Sequence, residues 1–282
     1  MLLTRMAAWR RFALLGGFAF VCAGLPRGGE AGGGEAPELP AAAVSGEREV
    51  VFARHARGNI VLDGRLDEDD WREARWVELD GVAPILPAAG PEREAWLNAF
   101  SYREGVEDQM AMSVRAAALW SVEGLYFGLS AQDADVTGRM GDGEALWLED
   151  VLEVFIAPRA EAGVDKLEIQ VNPANRRLFI CPRPFSVEKA RSAVHVDGTL
   201  NDSLSLDEGW SVELFIPWDA LEEAGLARRP ETPEGGEVAA VRFAAWDLSI
   251  LSYLRKNSYT TPGDDNPHFP ETYRRLICEA AE

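Results

Sequence analysis

From Leu167 to Val171, apolar residues alternate with Glu168 and Gln170, and from Trp210 to Ile216 apolar residues at even positions alternate with Ser211, Glu213 and Phe215. A period of two sends successive side chains to opposite faces, so both segments read as strands with one face on a core. Pro217 ends the second run. Leu125 to Ala131, Val151 to Ile156 and Val241 to Leu248 are more continuously apolar, the pattern of central strands. Helical patterning is confined to Asp67 to Ala74, with acids in its first turn, and Trp218 to Ala224, after Pro217. Short strands separated by turn signals predict an all-β fold, an antiparallel two-sheet β-sandwich of jelly-roll type with one or two short helices. On this reading Trp71, Trp76, Trp210 and Trp218 belong to the core and Glu213 faces solvent, while Trp120 and Trp246 are unassigned.

Two segments precede the patterned region. Residues 1–23 hold Arg5, Arg10 and Arg11, then an apolar run from Phe12 to Val21 too short for a membrane span, and read as a signal peptide. Phe20-Val21 before Cys22 argues against a lipoprotein site. Residues 24–48 are Gly, Ala, Pro and Glu without period, a disordered linker. Residues 49–282 form the folded domain, and the expected location is secreted or periplasmic. Export permits a Cys181–Cys278 disulfide, with two separately buried thiols as the alternative.

The formal charge of −19 changes the list of partners. Such a surface repels phosphate backbones and anionic headgroups, so neither nucleic acid nor peripheral membrane binding is expected. Neutral ligands and cations remain. The loop between two strand-like segments carries Asp133, Asp135 and Asp142 and ends at Trp147. An indole covers the apolar face of a sugar ring while carboxylates accept from its hydroxyls. Trp147, between Leu146 and Leu148, is alternatively a core residue. Asp133, Asp135, Asp142 and Asp150 are also candidate ligands for structural calcium, although no EF-hand spacing is present, and Asp264-Asp265-Asn266 is a second acidic loop with the same reading. Glu153 lies inside an apolar strand and needs a partner, either a ligand hydroxyl or a structural arginine. Three histidines, with no His-Glu-x-x-His and no Gly-x-Ser-x-Gly, leave the case for catalysis thin, and point at most to an accessory of a glycoside hydrolase.

Four blocks of the chain, in order, carry a resemblance. They are Asn59-Ile-Val-Leu-Asp-Gly-Arg-Leu-Asp-Glu-Asp-Asp-Trp71 with Ala74; the stretch from Leu119 to Ile156; Gly209-Trp-Ser-Val-Glu213 with Ile216-Pro-Trp218; and Asn266-Pro-His-Phe-Pro-Glu-Thr-Tyr-Arg-Arg-Leu276. Together they resemble family 9 carbohydrate-binding modules. The resemblance implies a β-sandwich of the sugar- and haem-binding group, carbohydrate binding, and in some members structural calcium. It matches Trp147 to the first of two clamping tryptophans and Glu153 to a ligand-contacting glutamate. Glu168 falls where the family has a polar sugar contact. The second tryptophan falls near Pro267 and His268, where this chain has none; Phe269 is the substitute. The glycine of the closing segment is Arg274 here.

The expectation is therefore an exported, non-catalytic protein that binds neutral saccharide in carbohydrate catabolism through Trp147, Glu153, Glu168, Phe269 and His268. It has no certain cofactor beyond the calcium reading. The alternatives are a non-covalent haem or electron-transfer domain using Met140 with His195 or His268, and a cell-envelope structural protein with an envelope or glycosidase partner and a degenerate sugar site.

Overall fold

Strand β1 (Val50–His55) holds the sheet together, because it pairs in parallel with a strand on each side. The computed structural model describes residues 50–79, 81–84, 113–202, 204–248, 256–260 and 267–281, all within one compact unit. The signal and linker segments and the Asp264-Asp265-Asn266 loop lie outside the described residues. After β1 come helix α1 (Asp69–Arg72), β2 (Val77–Leu79), β3 (Gly81–Pro84), β4 (Ser113–Trp120), β5 (Gly124–Gln132), β6 (Val151–Ala157), β7 (Leu167–Val171) and β8 (Arg177–Ile180). β9 (Arg191–Asp197), β10 (Gly209–Pro217), helix α2 (Trp218–Glu223), β11 (Gly236–Leu248), β12 (Lys256–Thr260) and β13 (Arg274–Cys278) complete the described elements. None of the described helices is long and apolar enough to cross a membrane.

The fold is mostly β, but hydrogen bonding is continuous. One sheet runs β8-β7-β6-β11-β13-β1-β4-β5-β10-β9, with β12 against β11 and β3, and β2 against β4. This corrects the expectation of two separate, wholly antiparallel sheets. Side-chain period fixes which face of a strand is apolar but not its neighbour, so the joining role of β1 leaves no trace in the pattern. Val51 pairs with Leu276 of β13 and Ala53 with Ala118 of β4.

The sheet curls on itself. Phe127 of β5 and Phe243 of β11 are four strand spacings apart in the order, about 19 Å across a flat sheet. Their rings nevertheless meet edge to face with centroids 6.0 Å apart. Between the two halves lies a core that includes Leu152, Val154, Ile156, Leu167, Ile169, Val212, Leu214 and Val241.

Glu213 does not face solvent. It is fully buried, and its carboxylate accepts from the backbone N–H of Asp63 (2.8 Å) and Gly64 (2.7 Å) and from Trp71 Nε1 (2.8 Å). The β10 position opposite the main core thus faces a second cluster around Trp71, Leu119 and Phe215 rather than water. Gly64 has φ +88° and packs against the backbone of Val194 and His195, where a Cβ would collide. The Asp-Gly and Trp of the first block are therefore parts of one buried joint. Trp71, Trp210 and Trp218 are core, Trp76 is half-buried, and Trp120 is buried with its Nε1 donating to the Glu279 carbonyl. Cys181 and Cys278 are free thiols, and burial pushes the Cys278 thiol up.

Candidate functional site

All five residues of β7 are buried, including Glu168 and Gln170 on the face turned away from the core. Strand register explains what they meet. Glu168 lies opposite Phe155 of β6, and Phe155 lies opposite Arg242 of β11. One step along, Gln170 is opposite Glu153 and Glu153 opposite Ala244. Two carboxylates, an amide and a guanidinium thus surround one phenylalanine on the face opposite the core. Ionised groups at this depth persist only when paired. Glu168 Oε1 accepts from Gln170 Nε2 (2.8 Å), Glu168 Oε2 from Lys166 Nζ (3.0 Å), and Arg242 Nη1 donates to Thr272 Oγ1 (2.7 Å).

The closing segment covers this row. Tyr273 packs on Phe155, and its hydroxyl donates to the Pro267 carbonyl at 2.8 Å. Burial pushes the Tyr273 hydroxyl up, and the nearby charge of Glu168 adds to the effect. His268 meets the Phe155 ring edge to face at 5.8 Å, and its Nδ1 lies 3.4 Å from both Glu168 Oε2 and Lys166 Nζ. A neutral ring can accept from Lys166 there, and a protonated one can donate to Glu168. Burial alone would raise the Glu168 carboxyl, but the hydrogen bonds from His268 and Lys166, with the ammonium charge, outweigh it and hold it at about 2.

The residues read from the sequence fall into two groups. Glu153, Glu168 and His268 come together around Phe155, with the two carboxylates below the surface and His268 on it. Phe269, next to His268, is 47% exposed. Trp147 is 39% exposed in a 3-10 turn, Leu146–Leu148, that leads into β6. Trp147 precedes Val151, and from Val151 to Phe155 is about 13 Å of strand, so the Trp147 turn and the Phe155–His268 contact belong to opposite ends of β6. The Trp147 turn is pinned from below by Glu149, which accepts from the backbone N–H of Arg139 (2.6 Å) and Met140 (3.0 Å) and from Asn172 Nδ2 (2.7 Å). Gln170, Arg242 and Lys166 escaped the sequence reading. A lone arginine inside the apolar run from Val238 to Ala245 was the available signal.

The acidic residues divide differently from the expectation. Asp133, Asp150 and Asp247 are buried, each with a carboxylate oxygen within 4.8 Å of the others. Asp133 Oδ1 accepts from Asp135 N (3.0 Å) and Asp150 Oδ2 from Thr137 N (2.6 Å). Burial, with the charges of Asp135 and Asp207, pushes the Asp133 carboxyl up to about 6 against the Asp135 and Asp150 hydrogen bonds. An all-carboxylate set is suited to a hard cation such as Ca²⁺, and Asp133 Oδ2 is a buried oxygen without a hydrogen bond. Asp142 is not part of this group. It is exposed on another turn, accepting from Arg177 N (2.8 Å) with Arg176 Nη1 at 3.5 Å.

The histidines named for haem are engaged separately, His195 with Arg65 Nη1 at 3.4 Å and His268 beside Glu168. Met140 donates its backbone N–H to Glu149.

No family model and no curated protein match the chain. Solved structures do. A family 9 carbohydrate-binding module from Caldicellulosiruptor kristjanssonii in complex with cellotriose matches with a TM-score of 0.51 at 14% identity, over 83% of this chain and 95% of that one. The family 9 module from the same organism in complex with glucose matches at 0.52 and 12% identity, over 83% and 97%. A protein from Bacteroides uniformis described as carbohydrate-binding gives 0.53 at 13% identity, over 82% and 99%. Over most of its length the chain therefore has the mostly-β fold of family 9 carbohydrate-binding modules, at a distant 12–14% identity.

Proposed function

We propose that this is an exported, non-catalytic protein that binds neutral saccharide in carbohydrate catabolism, on a mostly-β module with the fold of family 9 modules. The observation that carries the reading is the half-exposed Trp147 indole, on a turn pinned by Glu149 that leads into β6. A rigid exposed indole offers a stacking face at little entropic cost. Phe269 and His268 supply an exposed aromatic and a polar edge at the far end of β6, so a saccharide longer than one ring suits the surface. Glu168 acts from beneath by fixing Lys166 and His268, and Glu153 lies beside it in the same row. With few groups contributing, affinity falls in the micromolar to millimolar range, about −4 to −8 kcal/mol. Titration with a panel of neutral mono- and oligosaccharides tests the reading, and absence of binding across the panel rejects it.

A second reading concerns the three buried aspartates. Asp133, Asp150 and Asp247 would hold a structural calcium ion that ties the end of β5, the entry to β6 and β11 together. The orphaned Asp133 oxygen supports it, and melting in calcium and in chelator at pH 7.5 tests it.

A further inference from the structure

The two terminal strands of the curled sheet, β8 and β9, are joined by side chains rather than by a ladder. Arg177 Nη1 donates to the Ala190 carbonyl at 2.7 Å, Asn175 Nδ2 to the Ser192 carbonyl at 3.2 Å, and Ser192 Oγ to Asn175 Oδ1 at 2.6 Å. A groove of about 610 Å³ lies along this seam, and Arg176, Arg177 and Arg191 all line it. In a chain of net charge −19, three guanidinium groups at one groove, against only Asp142 and Glu188, are a local reversal of sign.

These arginines spend little of their donor capacity on the protein. Arg191 lies over the Phe215 ring at 4.7 Å and, among the described residues, has no carboxylate within 4.0 Å. Arg177 gives one nitrogen to Ala190, and Arg176 has only the long 3.5 Å approach to Asp142. Their backbone is fixed beforehand. Asn175 adopts φ +54° and its N–H bonds the Asn172 carbonyl, while Arg176 N and Arg177 N donate to Asn172 Oδ1 and Asp142 Oδ1, each at 2.8 Å. A guanidinium presents a planar fork of N–H groups that matches a carboxylate or sulfate, and holding the forks in place lowers the ordering cost of binding.

We propose that the groove between β8 and β9 binds the carboxylate or sulfate group of an acidic saccharide through Arg177 and Arg191. The oxyanion part stands on the guanidinium groups, and the saccharide as its carrier rests on the function proposed above. Trp147 is not among the residues that line the groove, and the groove takes the charged ligands that the Trp147 surface does not discriminate.

The test compares trigalacturonate with its fully methyl-esterified form, and galactose 6-sulfate with galactose, by titration calorimetry on the purified full chain. The expected result is at least tenfold tighter binding of one charged member of these pairs, weakened at least tenfold by Arg177→Gln with Arg191→Gln and strongly reduced in 0.5 M salt. The double variant keeps its affinity for neutral saccharide, whereas Trp147→Ala loses neutral binding and keeps the charged increment, so failure of either site is seen separately. Equal affinity for charged and uncharged members, or an undiminished increment in the double variant, overturns the proposal. Inorganic sulfate binding as tightly as the charged saccharides overturns the saccharide assignment. Should the double variant fold poorly, Arg191→Lys keeps the charge without the fork, and an unchanged charged-to-uncharged ratio in it counts against the site.

Discussion

Lys166 Nζ lies 3.0 Å from Glu168 Oε2 and 5.1 Å from the centroid of the Phe155 ring, so one ammonium joins the buried carboxylate to the aromatic floor of the site. The Glu168 side chain is 4% exposed, and the His268 hydrogen bond together with Lys166 holds its carboxyl at about 2 against an ordinary value of 4.5. A depressed carboxyl stabilises the fold above the unfolded value and loses that contribution as pH falls towards the folded value. That contribution is on the order of 3 kcal/mol and disappears between pH 4.5 and pH 2. Urea unfolding of the wild type and Glu168→Gln at pH 6, 4 and 3 measures it. The difference between the two proteins shrinks as pH falls, and a constant difference contradicts the assignment.

Asp133 behaves in the opposite sense. Its carboxyl is raised from 3.8 to about 6, so the folded state holds its proton more tightly than the unfolded chain and stability falls as pH rises from about 4 to about 6. Above pH 6 a divalent cation can take the place of that proton. Calcium therefore raises the melting temperature at pH 7.5, raises it less at pH 5, and does neither in Asp133→Asn. Identical melting of the wild type in calcium and in chelator at pH 7.5 removes the cation reading.

Glu213 is a structural joint. Glu213→Ala strands two backbone N–H groups and the Trp71 indole in a buried site, at a cost of about 3 kcal/mol or more. Its melting temperature drops by several degrees while the saccharide affinity of the folded fraction stays at the wild-type value. A thermally neutral substitution contradicts the joint.

Much of the strand pattern was legible. The alternation at Leu167 to Val171 and Trp210 to Ile216, the acids before Trp71 and the Pro217 break correspond to β7, β10, α1 and α2. Partners and faces were less so. Alternation in β7 says that Glu168 and Gln170 oppose the core, but not that the closing segment with Tyr273 covers that face. The same gap placed Glu213 in solvent, because a polar residue beneath a second cluster has the same local pattern as an exposed one. The aspartate group is assembled from positions 133, 150 and 247. Asp247 is too distant in sequence to be read together with the acidic loop, whereas Asp142 lies in that loop and belongs elsewhere.

On this reading the Trp147 indole is the face on which the sugar ring stacks. Titration calorimetry of the wild type and Trp147→Ala with neutral oligosaccharides tests it most directly. Trp147→Ala loses about 2 kcal/mol of binding, roughly thirtyfold in Kd, while still unfolding cooperatively. Equal binding by both proteins contradicts it.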